Sequence, residues 1–251
     1  MVQLVRDIQP RGIASAYVGA PFDQGKAMLE AEKYSIISLE QNARLRMQEG
    51  KDAYVSRNGN WVKEGFLYVP KKGKFLTKAS PIMDNSVEAT QSHRKGNEFY
   101  LTDEQVERGL ANSVKLKDRD FSIPTNRFGD DKVTDFAFGS SAKDYGNFLR
   151  EAGIKEMPVV MVDNIGDKSF ARQAWFNRLV GVSRLYGVSG DLYFVGRVRG
   201  VSEDALASEP KVLTAEGGSQ SVLYSQAQIS KALGDLGFSG LNDGLLKKLG
   251  K

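Results

Sequence analysis

"MPVVMVDNIGDKSFARQAWFNRLVG", residues 157–181, decides how the second half of the chain is read. It opens on a continuous apolar run, Met157 to Val162, of the kind found in a strand covered on both faces. Asp163, Asn164, Gly166 and Asp167 follow, four residues with turn and cap chemistry. Beyond them Ala171, Trp175, Leu179, Val182 and Tyr186 recur at helical spacing, which predicts an amphipathic helix over 167–187.

Working outward, "KVTDFAFG" (132–139) alternates as a strand, and "SSAKDYGNFLREAGI" (140–154) reads as an amphipathic helix capped by Ser140 or Ser141. "DLYFVGRVRGV" (191–201) reads as a further strand. Strand, helix, strand, helix, strand in that order predict a βαβαβ part over 126–205 with a partly parallel sheet.

Residues 1–125 carry a different rhythm. "PFDQGKAMLEAEKY" (21–34) predicts a short helix with Asp23 as its N-cap, "SIISL" (35–39) a strand, and "EQNARLRMQEG" (40–50) a helix stopped by Gly50. In "AYVSRNGNWVKEGFLYVPKKGKFLTK" (53–78), Asn58-Gly59 and Lys72-Gly73 separate runs rich in aromatic and aliphatic residues. That pattern predicts a three-stranded antiparallel meander, with Pro70 at a strand end or on an edge. "SPIMDNSVEATQSHRKGNEF" (80–99) reads mostly as loop, before Thr102 and Gln105 form the capping box of the next helix. Residues 202–219 read as a connection and 224–251 as two short helices. The fold expected is therefore mixed α/β: an N-terminal α+β part with an antiparallel β-meander (1–125), the βαβαβ part (126–205) and a linker with a helical C-terminal tail (206–251).

Composition excludes more than it specifies. Hydrophobic residues make up 41 % of 251 residues, enough for a real core. The chain has no cysteine and one histidine, so disulfides, thiolate sites and the usual zinc or non-haem iron sets are ruled out within one chain. No transition metal is expected; magnesium, which needs only one or two carboxylates, stays admissible. Polar residues interrupt the N-terminal apolar stretch, and no run reaches the roughly 18 apolar residues of a membrane helix, so a soluble, cytoplasmic protein without a membrane partner is expected.

A net charge of +4 is mildly basic, and it concentrates in residues 61–80, where Lys63, Lys71, Lys72, Lys74 and Lys78 face only Glu64. Trp61, Phe66, Tyr68 and Phe75 interleave with them. Aromatic faces for base stacking with cations for phosphates describe a nucleic-acid-binding sheet, for RNA or DNA, with Trp61, Tyr68 and Phe75 stacking and Lys63, Lys71, Lys72, Lys74, Arg94 and Lys95 on phosphates. The competing explanation is plain: one aromatic face is core and the lysines blunt a sheet edge.

The second functional reading is an enzyme for a phosphorylated or anionic small molecule. Asp163 and Asp167 would stand at the C-terminal edge of a parallel sheet, with Arg172 or His93 nearby as partner or general base. Turn chemistry alone also accounts for the two aspartates. No nucleotide-binding glycine motif occurs; Gly139, Ser140 and Ser141 offer only a generic helix start to an anion. The third reading is an assembly protein that forms homo-oligomers through its C-terminal helices.

Overall fold

The computed structural model describes residues 3–6, 13–179, 181, 183–188 and 191–202. The expected linker and helical tail (206–251) lie outside these residues. In chain order the elements are β1 (Leu4–Arg6), β2 (Ser15–Ala20), α1 (Phe22–Ala31), β3 (Tyr34–Ile36), α2 (Leu39–Glu49), α3 (Tyr54–Arg57), β4 (Asn60–Val69), β5 (Gly73–Thr77), α4 (Pro81–Asp84), α5 (Ser86–Arg94), β6 (Phe99–Tyr100) and α6 (Asp103–Ala111). They continue with β7 (Ser113–Lys115), β8 (Phe121–Pro124), α7 (Lys132–Phe138), α8 (Ala142–Glu151), β9 (Glu156–Val160), β10 (Phe170–Phe176), β11 (Leu185–Tyr186) and β12 (Gly196–Ser202).

All of these strands join one sheet whose main path runs β1-β2-β12-β4-β10-β11-β9-β8. The class is mixed α/β as expected, because β4 with β12 and β9 with β11 pair parallel while the other pairs are antiparallel. Side chains alternate through the central strand, so both faces are core: Phe66 and Tyr68 enter one apolar cluster, Leu67 and Val69 the other.

The parallel pairing arises differently from the βαβαβ expectation. Residues 170–176 form a strand, not a helix, between β4 and β6. The cause lies in the spacing: Ala171, Trp175 and Leu179 are four apart, and an even offset also returns a strand side chain to the same face. Conversely "KVTDFAF" folds as α7. Asp131 Oδ1 accepts from Val133 N at 2.9 Å and Thr134 N at 3.2 Å, capping a helix that buries Val133, Thr134, Ala137 and Phe138. Helix α8 forms within the expected span, the expected capping box Thr102–Gln105 is made on α6, and α2 carries a second one, Ser38–Gln41, with its Ser38 in a stretch read as strand.

The meander contracts to a hairpin, β4–β5, with Pro70 just past the end of β4 and Lys71 at φ 62° in the turn. Residues 54–57 are a helical turn, and the third strand beside β5 is β7, from later in the chain. Gly59 is needed for close approach: a Cβ there would lie 2.7 Å from Trp175 Nε1. Between Gln173 and Trp175 the register with β4 slips, and the Gln173 amide donates to the carbonyls of Val62 (2.5 Å) and Glu64 (3.0 Å) that the bulge releases. On that bulge Glu64 is buried and accepts from Leu39 N, at the start of α2, at 2.9 Å. Burial pushes its carboxyl up to about 7.

Among the described residues no helix is long and apolar enough to cross a membrane.

Candidate functional site

Strand register builds the site. Val198 of β12 pairs with Trp61 of β4, Trp61 with Trp175 of β10, and Trp175 with Tyr186 of β11, so four side chains stand in one row across four adjacent strands. The two indoles meet edge to face, centroids 5.0 Å apart. Gly59 lies under Trp175 and Gly196 against Trp61, where a Cβ would come within 2.7 Å of the indole nitrogen. The row opens into a groove of about 430 Å³ lined by Trp61, Trp175, Tyr186, Val188, Asp191 and Phe194.

The connection from β11 to β12 forms the outer wall, and it is pinned. Tyr68 Oη donates to the Gly187 carbonyl at 2.8 Å, Gly187 N donates to the Val160 carbonyl at 2.8 Å, and Phe22 N donates to the Leu192 carbonyl at 2.8 Å. Leu192 is fully buried as a plug. Val188 before it and Phe194 and Val195 beyond it are exposed at 36 %, 58 % and 76 %. Three large apolar side chains are thus exposed on one short segment.

A polar cavity of about 280 Å³ adjoins the groove and shares Val188 and Asp191 with it; its remaining wall includes His93, Asn97, Glu98, Arg172 and Tyr193. Arg172 is ion-paired with Glu98. His93, expected on a loop, is buried on α5 at 4 % exposure, and burial together with the Arg172 charge lowers its pKa to about 4. It is therefore neutral at pH 7. Four buried polar atoms in this wall make no hydrogen bond among the described residues: both His93 ring nitrogens, Glu98 Oε2 and Arg172 Nε. Each such atom costs about 1–3 kcal/mol when left unpaired.

The residues read as nucleic-acid ligands do not come together. Trp61, Tyr68 and Lys74 are buried at 3 %, 0 % and 2 % exposure, and Phe75 is half-buried against the same core. Tyr68 works from beneath, as the pin under Gly187; burial pushes its phenol up. Lys63 lies on the bulge and Lys71 and Lys72 in the hairpin turn, roughly 20 Å apart along β4. Arg94 and Lys95 are exposed at the end of α5. Asp163 and Asp167 are exposed on the connection between β9 and β10, and neither lines the cavity that holds His93 and Arg172. Among the described residues no three histidine or acidic side chains converge as a metal set. The helix start at Gly139–Ser141 is filled from within: Arg44 donates to Ser141 Oγ at 2.9 Å and pairs with Glu40 at 2.8 Å.

Trp175, Tyr186, Val188 and Phe194 entered no expected site, since a strand taken for a helix hides the row that joins them. Arg46 was equally silent: it is a fully buried cation stacked 4.1 Å over the Phe176 ring and donating to the Asn177 carbonyl at 2.8 Å.

No protein-family model matches the chain, and no curated protein matches it. A solved structure described as "Accommodation of massive sequence variation in Nanoarchaeota by the C-type lectin fold" is similar, with a TM-score of 0.56 and 13 % identity, over 78 % of this chain and 99 % of that one. The likeness is one of fold: this chain shares the C-type lectin fold. It overturns the reading of a nucleic-acid-binding meander, whose stacking residues the fold uses as core. The enzyme alternative falls with it, since the aspartates do not stand at a switch point of a doubly wound parallel sheet. The assembly alternative gains nothing from this fold either, and the tail on which it rested lies outside the described residues.

Proposed function

We infer that this chain is a non-catalytic recognition module that binds a protein partner through the groove and the apolar segment between β11 and β12. The observation that carries this is the exposure of Phe194 and Val195 on a segment held by buried anchors at Gly187 and Leu192. A small molecule filling the groove would leave that convex tip in water, whereas a protein surface covers both. The aromatic row supplies the rigid anchors that concentrate binding energy in interfaces. The structural relative concerns sequence variation accommodated by the C-type lectin fold; a pinned segment whose tip contributes little to the core suits such accommodation here. The cytoplasm is the compartment we assign to this activity, checked by fractionating cells that express the full chain.

The test is selection of random peptides on the immobilised full chain, followed by affinity measurement through tryptophan fluorescence. Selected peptides should lose at least about tenfold in affinity, some 1.4 kcal/mol, on Phe194→Ser with Val195→Ser, while the melting temperature stays put. Peptides that bind the double variant as well as the parent would overturn the assignment.

A further inference from the structure

The polar cavity beside the groove has a chemistry of its own. Arg172 is neutralised by Glu98 and His93 is uncharged, which leaves Asp191, on the border with the groove, as the one charge of the wall without an ion-pair partner among the described residues. A ligand anion would face Asp191 and Glu98, and a ligand cation would face the Arg172 guanidinium. What the wall lacks is hydrogen bonds. It offers one donor on Arg172 Nε, one acceptor on Glu98 Oε2, and one of each on the neutral imidazole.

We propose that this cavity receives an uncharged carboxamide, the side chain of an asparagine or glutamine carried by the protein partner. The inference rests on the reading of the groove as the partner-binding surface. A carboxamide places an acceptor oxygen and a two-proton donor side by side, the complement of the Arg172 N–H and the Glu98 oxygen. The unpaired atoms are buried on residues that line the cavity, so a ligand meets them through side-chain rotations of the kind that commonly accompany binding. Because Val188 and Asp191 border both spaces, a partner would seat an apolar side chain on Trp175 and Phe194 and the carboxamide next to it. Specificity follows from the same groups, since a site built on buried hydrogen-bonding atoms rejects ligands that leave them unpaired.

His93 is the only histidine of the chain, so its ring nitrogens give one unambiguous set of NMR signals. The full chain, labelled with nitrogen-15, is titrated separately with N-acetyl-glutamine methylamide, its glutamate and lysine counterparts, and methyl glucoside. The glutamine probe should move the His93 ring and Arg172 Nε–H signals saturably, at least about tenfold more tightly than any of the others. The effect should shrink in Arg172→Met. Equal or better binding of the glutamate, lysine or glucoside probe overturns the proposal, as does silence from His93 with all four at millimolar concentration. The two readings fail separately. Selected peptides that need Phe194 yet leave His93 unmoved refute the carboxamide site alone, and peptides indifferent to Phe194 refute the groove.

Discussion

Replacing Glu64 by glutamine should raise stability above pH 7. In the folded chain this carboxyl is buried and titrates near 7, against 4.5 when unperturbed. Between these values the folded state holds a proton that the unfolded chain has released. Stability therefore falls as pH rises through the window, and the full loss is reached above 7. A pKa displaced by roughly two and a half pH units corresponds to about 3 kcal/mol. Glutamine keeps an oxygen for the Leu39 N–H and carries no charge, so the loss should vanish. His93 works the other way. Its pKa of about 4, against 6.5 when unperturbed, means that the unfolded chain binds the extra proton, so stability rises with pH across that window, again by at most about 3 kcal/mol. In the parent protein the two slopes overlap and oppose each other, leaving stability nearly flat between pH 4.5 and 6.5. Glu64→Gln should unmask the rise due to His93, and His93→Gln the fall due to Glu64. Urea unfolding followed by tryptophan fluorescence across this range reads both. If Glu64→Gln is less stable than the parent above pH 7, the reasoning is wrong, and the carboxylate is ionised, held by the start of helix α2.

Gly59→Ala should cost about 1–3 kcal/mol by overpacking against Trp175, seen as a lower melting temperature with an altered tryptophan spectrum; an unchanged spectrum would contradict the seating of Trp175 on that glycine. Asp131→Ala removes the acceptor of two backbone N–H groups at the start of α7 and should cost about 1 kcal/mol, measured by chemical denaturation, while Asp131→Asn should recover most of it.

Legibility in the sequence divides along a physical line. Signals completed within three or four residues were readable: the capping box of Thr102 and Gln105, the stop at Gly50 and the strand break at Pro70. Signals resting on period failed where two periods coincide. Residues 170–176 have apolar side chains four apart, which suit a strand and a helix alike, and placement between β4 and β6 decides for the strand. "KVTDFAF" alternates too, but a cap one residue upstream prevails. The aromatic and lysine-rich segment was visible as a composition, but which of its side chains would be interior was not.

By itself, then, the sequence determined a mixed α/β protein without thiol chemistry, the capped start of α6, the stop of α2 and the turn between β4 and β5, because those depend on local hydrogen bonds and on residue inventory. Tertiary structure alone decided the sheet order, the burial of Trp61, Tyr68, Lys74 and His93, and the row Val198–Trp61–Trp175–Tyr186. That row joins residues more than a hundred positions apart in the chain. Its members become neighbours only through strand register, which is set when whole faces are buried together.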